Sequence, residues 1–338
     1  MVNRLLGALG RSLIFSGVVL LLFVGYQLWG TKLDEESHQE DLTRTLGHDL
    51  GVKDSGPESD PDEVADAITA RLADVDPRTA PRMAAPKEGD PGGFIEIPKI
   101  DLRTKAFVEG VEKPDLRKGP GHYPGTPFPG NPGNAAIAGH RTTYGAPFNR
   151  IDELVPGDTI ITYTAQGKFV YRVIPSPPAR RQGEKTSTWD EGWFAVNPKD
   201  VSVLAPSDAN LLTLTACHPK YSAKLRIVVR AELEAEPAAA PSTTTSTTTR
   251  AGSSDSPQTV GTKRQTAEDM IAGDPTELQP ALLFLALVVA IWLGSMAVAA
   301  FLRNRDRRGW PVYVFTVAAT VLPLWFAFVH MDRFLPSF

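Results

Sequence analysis

The chain has 338 residues and a formal net charge of −4, a length that allows one or two folded domains. Residues 31–280 hold 28 of the 35 basic and 37 of the 39 acidic side chains. So acidic a middle argues against nucleic acid as a partner, since phosphate binding is built on clustered Lys and Arg. The single cysteine, Cys217, excludes an intramolecular disulfide and leaves two readings: a small buried hydrophobe or a reactive thiol.

Taken from the start, residues 12–29 (SLIFSGVVLLLFVGYQLW) form an apolar run just long enough to cross a bilayer. Arg4 and Arg11 precede it, which predicts a cytoplasmic N-terminus within residues 1–30. No small-residue cleavage site follows, so a retained anchor is expected, with Tyr26 and Trp29 at the interface. Residues 31–91 are polar, acidic and rich in Pro and Gly, and read as an extracytoplasmic stalk. Inside that stretch, PDEVADAITARLADV predicts a short amphipathic helix with Val64, Ala67, Ile68 and Leu72 on one face.

Residues 92–235 have a different texture. The runs FIEIPKI, TKAFVEGV, NAAIAGH, DTIITYT, KFVYRVI, SVLA, LLTLTACH and LRIVVRAEL alternate with Pro/Gly turns, a spacing that predicts an all-β barrel or sandwich. NRIDELVPGD reads as a helical turn. Residues 236–280 contain PSTTTSTTTR and read as a Thr/Ser-rich disordered linker. In the 281–338 tail, residues 281–302 and 311–330 are two further apolar spans, with Pro323 tolerable inside the last. They are joined by RNRDRRGW, which the positive-inside bias places in the cytoplasm. Both charge signals thread residues 30–280 to the outer face of a multi-pass protein in contact with membrane lipid.

The chemistry gathers around the cysteine. In LLTLTACHP read as a strand, Leu211, Thr213, Thr215 and Cys217 share one face, and Leu212, Leu214, Ala216 and His218 the other. Pro219 ends the ladder just beyond, so the thiol lies at a strand end, placed for access. Only the thiolate is a nucleophile, and it needs a cation or base nearby. His38 and His48 lie in the stalk, His330 at a membrane edge, and His218 on the opposite face, which leaves His122 and His140. Acyl transfer also needs a donor for the developing oxyanion. Arg226 in KLRIVV, on the strand after Cys217, can reach the thiol if the two strands form a hairpin.

TLTACHPKYSAKLRIVV resembles the sortase signature, in which TLxTC is followed by Pro and, several residues on, by Arg. NAAIAGHRTTYGAPFNRIDELVPGD resembles the sortase segment that carries the catalytic histidine, and FIEIPKI its opening strand. The resemblance covers residues 92–235. It implies an eight-stranded closed β-barrel with a catalytic triad of His140, Cys217 and Arg226. It also implies a cysteine transpeptidase that needs no metal and no organic cofactor. Its partners would be surface proteins with a C-terminal sorting signal and an amine acceptor from a cell-wall precursor or a pilin.

GHYPGT, AGHRTTYGAPF and CHPKYSAKLR are most similar to class E, which implies a preference for LAxTG over LPxTG, with Tyr123 helping to select the alanine. Thr215, Ala216 and His218 are expected to border the substrate. Ala216 departs from the Thr usual before the nucleophile. Asp90-Pro91-Gly92 lacks the aromatic of the pilin-type anchor. An exported L,D-transpeptidase would show Arg two residues after the cysteine, where this chain has Pro219. A non-catalytic surface scaffold would need none of these side chains at strand ends.

Overall fold

A computed structural model describes residues 2–52, 55–56, 58–81, 85–176, 192–238, 274–303, 305 and 310–335. In chain order the elements are α1 (Val2–Gly25), α2 (Thr31–Asp49), α3 (Pro61–Ala73), β1 (Pro91–Ile97), β2 (Leu102–Glu109) and the single turn α4 (Lys113–Leu116). Then come β3 (Gly121–His122), β4 (Asn134–Ala138), β5 (Thr159–Thr164), β6 (Gly167–Val173), β7 (Trp193–Val196), β8 (Leu211–His218), β9 (Leu225–Leu233), α5 (Leu278–Arg303) and α6 (Trp310–Phe334). They divide into two units, Met1–Gly30 with Ala272–Ser337, and Thr31–Ile271.

The second unit is built on one sheet in the order β6-β5-β1-β2-β3-β4-β8-β9, and β6 pairs with β9 to close it. The result is the eight-stranded closed barrel. One edge of β9 is shared: Arg226–Val229 pair with the short β7, and Ala231–Leu233 pair with β6. Closure lets every strand hide one face, and the alternating residues Ile95, Ile97, Phe107, Ile137, Phe169, Leu212, Leu214, Ile227 and Val229 fill the interior. Gly93 is required where β1 meets β5, because a Cβ there would lie 2.0 Å from the Tyr163 carbonyl oxygen.

Two strands escape sequence patterning. The two residues of β3 and the four of β7 are too short to show a period of two. SVLA is not a strand. Val201–Leu204 form a 3-10 turn, started by Asp200, whose side chain accepts the Ser202 N–H at 3.0 Å.

The expected stalk also needs correction, because much of 31–91 is helical and packed on the barrel. Leu42 and Leu46 of α2 join Val64, Ala65, Ile68 and Leu72 of α3 in a cluster with Phe94, Ala106, Val108 and Tyr163 on the strands. The predicted helix is present as α3, with Ala65 buried in place of Ala67. α2 buries Thr31, Glu35, Gln39, Leu42, Thr43, Leu46 and Gly47, a stripe spaced by three and four residues. Four of those seven are polar, so hydrophobic periodicity does not show it. Gln39 substitutes for a strand neighbour. Its Nε2 donates to Ala106 O at 2.9 Å and Lys118 O at 2.7 Å, and its Oε1 accepts the Ala106 N–H at 2.8 Å.

Among the described residues, three helical runs are long and apolar enough to cross a membrane: Ser12–Asp49, whose apolar stretch lies in α1, Pro275–Leu302 and Pro311–Phe334. Aromatic pairs join α1 to the C-terminal helices. Phe15 stacks on Trp292 at 4.3 Å, and Tyr26 meets the edge of Trp325 at 5.4 Å. Most of the arginine-rich loop and residues 239–273 of the linker lie outside the described residues.

Candidate active site

Strand register assembles the site. β8 and β9 are antiparallel and set Cys217 directly opposite Arg226. β4 runs parallel to β8 with Ala138 opposite Thr215. The Gly139 N–H donates to Thr215 O at 3.0 Å and carries that ladder one residue further, so His140 leaves it level with Cys217. Alternation holds as read: Leu212, Leu214 and Ala216 point into the barrel core, and Cys217 faces outward with Thr213 and Thr215. β8 ends at His218, one residue past the thiol. Cys217, His140 and Arg226 are only 3%, 3% and 2% exposed.

The loop that carries the histidine is fastened at both ends. His140 O accepts the Phe148 N–H at 3.1 Å, and the Phe148 ring is buried in the barrel core. Gly139 admits that ring, since a Cβ there would meet it at 2.6 Å. Arg141 is buried, and its Nη2 donates to Asn149 O at 3.1 Å and Asp152 Oδ1 at 2.6 Å, while Asn149 Nδ2 donates to Arg141 O at 2.7 Å. On β9, Arg226 Nη1 donates to Leu225 O at 3.2 Å and Ala223 O at 3.4 Å.

Burial pushes the Cys217 thiol above the ordinary thiol range, and the cations of Arg226 and Arg141 oppose that rise. The thiol therefore rests protonated, in a field that favours an anion once it forms. Arg141 is a second cation that sequence reading passed over. The signal was present, since it directly follows His140.

His122 sits elsewhere, with Nδ1 bonded to Glu109 Oε2 at 2.6 Å and Nε2 to Pro127 O at 2.9 Å. Tyr123 is not the exposed loop residue its Pro/Gly surroundings suggest. It is 2% exposed and packs with Val111, Leu116, Ala136 and Ala138. Its backbone N–H donates to Ala136 O at 3.0 Å, which draws the chain after β3 onto β4. Its hydroxyl bonds Thr215 Oγ1 at 2.9 Å, on the same strand face as the thiol. Burial raises the phenol pKa, and Arg226 and Cys217 are both near enough to act on it. Ala216 was expected to border the substrate, but its side chain is wholly buried in the core, because alternation turns it inward. His218 is partly exposed and packs on the Trp193 ring at 5.4 Å.

Residues 95–234 match the sortase domain. Sortase SrtE1 of Streptomyces coelicolor is 28% identical over 244 residues, 68% of this chain and 57% of that protein. Sortase D of Bacillus subtilis is 32% identical over 135 residues, 40% of this chain and 58% of that one. Residues 95–234 are thus a sortase domain. Among solved structures, the SrtF sortase from Corynebacterium diphtheriae is 32% identical, covering 46% of this chain and 91% of that one with a TM-score of 0.40. Sortase E from Streptomyces avermitilis is 31% identical, covering 45% and 93%, with a TM-score of 0.36. The chain thus spans a little under three fifths of the first two curated sortases, and the matched domain is the barrel without its flanking helices.

Proposed function

We propose that the barrel is a cysteine transpeptidase acting on a sorting signal, with Cys217 as nucleophile. The observation that carries this reading is the Cys217–Arg226 register pair with His140 level beside it. In the first step His140 takes the proton of the Cys217 thiol, and the resulting thiolate attacks the carbonyl of the Thr–Gly bond. Arg226, across the ladder from the sulfur, is the donor for the tetrahedral oxyanion. The C–N bond then breaks, His140 gives a proton to the leaving glycine amine, and the acyl group stays on sulfur as a thioester. In the second step an amine of a cell-wall precursor or a pilin attacks the thioester and regenerates the thiol. With all three side chains almost wholly covered, substrate entry requires local opening.

The likeness of GHYPGT, AGHRTTYGAPF and CHPKYSAKLR to class E is what supports an LAxTG-type signal. Tyr123 would act through the floor of the groove, where its hydroxyl holds Thr215. Surface proteins bearing a C-terminal signal are the proposed substrates, and the barrel is assigned to the extracytoplasmic face of the membrane.

The test is mass spectrometry of LAxTG and LPxTG peptides incubated with the full chain and an amine acceptor. Wild type forms a ligated product, preferentially from LAxTG, and Cys217→Ala forms neither ligated nor hydrolysed peptide. Turnover by Cys217→Ala at the wild-type rate would sink the reading. Tyr123→Phe keeps the buried ring and removes the hydroxyl, and is expected to narrow the kcat/KM ratio of the two peptides by a few-fold to about tenfold. An unchanged ratio would place selectivity elsewhere.

A further inference from the structure

The loop directly after His140 is strained, and the first turn of α2 holds it in place. Tyr144, Gly145 and Ala146 have φ of 50°, 68° and 45°, three left-handed residues in a row of which only one is glycine. Non-glycine residues rarely adopt that region and persist there where surrounding contacts dictate it. Here those contacts come from α2. Thr31 Oγ1 accepts the Tyr144 backbone N–H at 3.2 Å. A Cβ at Gly145 would come within 2.5 Å of Glu35 Oε2, so the loop lies hard against the helix. Glu35 is itself pinned to β2 by Lys105, whose Nζ donates to Oε1 at 2.8 Å.

The strained conformation presents a ring to the catalytic histidine. Tyr144 is buried, and its ring packs against that of His140, with centroids 5.2 Å apart and planes 38° from parallel. The Arg117 guanidinium also lies over the Tyr144 ring, 5.4 Å from its centroid. Arg117 in turn donates to Asp34 Oδ2 at 3.0 Å, again on the first turn of α2. A series of contacts therefore runs from α2 through Arg117 and Tyr144 to the His140 imidazole.

We propose that Tyr144 is a positioning residue for His140, and that the first turn of α2, the segment directly following the N-terminal apolar helix, is a working part of the catalytic unit because it holds Tyr144. The inference rests on the reading of His140 as the proton donor. Misplacing a proton donor by a fraction of an ångström lowers turnover and leaves peptide binding alone. The Cys217–Arg226 pair is held by its own hairpin and stays intact.

The experiment uses the full chain in detergent with an LAxTG peptide and an amine acceptor, and compares Tyr144→Phe, Tyr144→Leu and Arg117→Met with wild type. Tyr144→Leu is expected to lower kcat roughly tenfold or more with KM within about twofold. Cys217 alkylation by iodoacetamide should stay at the wild-type rate. Tyr144→Phe, which keeps the ring, restores kcat, and Arg117→Met lowers it several-fold in the same pattern. A Tyr144→Leu variant with wild-type kcat, or one whose loss lies in KM, overturns the inference, as does an equal loss in Tyr144→Phe. Should Tyr144→Leu not fold, Arg117→Met alone decides: an unchanged kcat overturns the proposal. Cys217→Ala and His140→Ala separate the two levels. If either still turns over, the reading of the site fails; if both are inactive and Tyr144→Leu is unaffected, only this inference does.

Discussion

Arg226 faces the thiol across a two-strand ladder, and the proposed mechanism gives it two jobs. As the proposed oxyanion donor it would supply about 10²–10³ in kcat, so Arg226→Met is expected to lose that much. As a buried cation it also restrains the rise that burial imposes on the Cys217 thiol. The folded site favours the neutral thiol, so the thiolate fraction at neutral pH is small and grows as pH climbs through and above the ordinary thiol range. Iodoacetamide alkylation of Cys217 should therefore accelerate with pH in wild type. In Arg226→Met the same curve should move to higher pH, because one opposing cation is gone. A curve that stays in place would mean that Arg226 does not act on the sulfur.

At the scale of the element, α2 buries a face that is largely polar, and Gln39 ties it to β2. It satisfies both the N–H and the C=O of Ala106 on β2. Gln39→Ala leaves those two buried backbone groups unpaired, at a cost of about 3 kcal/mol in all. Ile68→Ala, a fully buried position on α3, is expected to cost about 2–5 kcal/mol through the cavity it leaves. Thermal melts of the full chain in detergent check both. A Gln39→Ala protein that melts with wild type would return α2 to the status of a loosely attached stalk. The strand-end sites are less exposed to such changes, since β8 and β9 pair over eight consecutive positions.

At the scale of the whole molecule, three apolar helices and two arginine clusters argue for one threading, with residues 31–280 outside. Protease treatment of intact protoplasts should then cleave the Thr/Ser-rich linker and spare the 303–308 loop. Protection of the linker with cleavage at that loop would reverse the orientation. The linker is the expected first site of cutting, because α2 and α3 within 31–91 are helical and packed on the barrel strands.

What could be read without coordinates was local. The apolar runs announce helices of membrane length, and alternation in LLTLTACHP separates Cys217 from Ala216 before any coordinates are known. The turn-length HPKYSAK brings Arg226 back beside the thiol, because a short antiparallel connection leaves few registers open. The choice between His140 and His122 is different in kind. It depends on β4 lying parallel to β8 in one register, a pairing between segments about 77 residues apart that leaves no local mark; only the resemblance to sortases pointed to it in advance. Barrel closure through β6 and β9, the burial of Tyr123 against β4, and the seating of α2 on the histidine loop belong to the same class. Each is fixed by which surfaces meet after the chain has folded. In α2 the meeting surface is partly polar, so its burial is stabilised by hydrogen bonds that hydrophobic periodicity does not register.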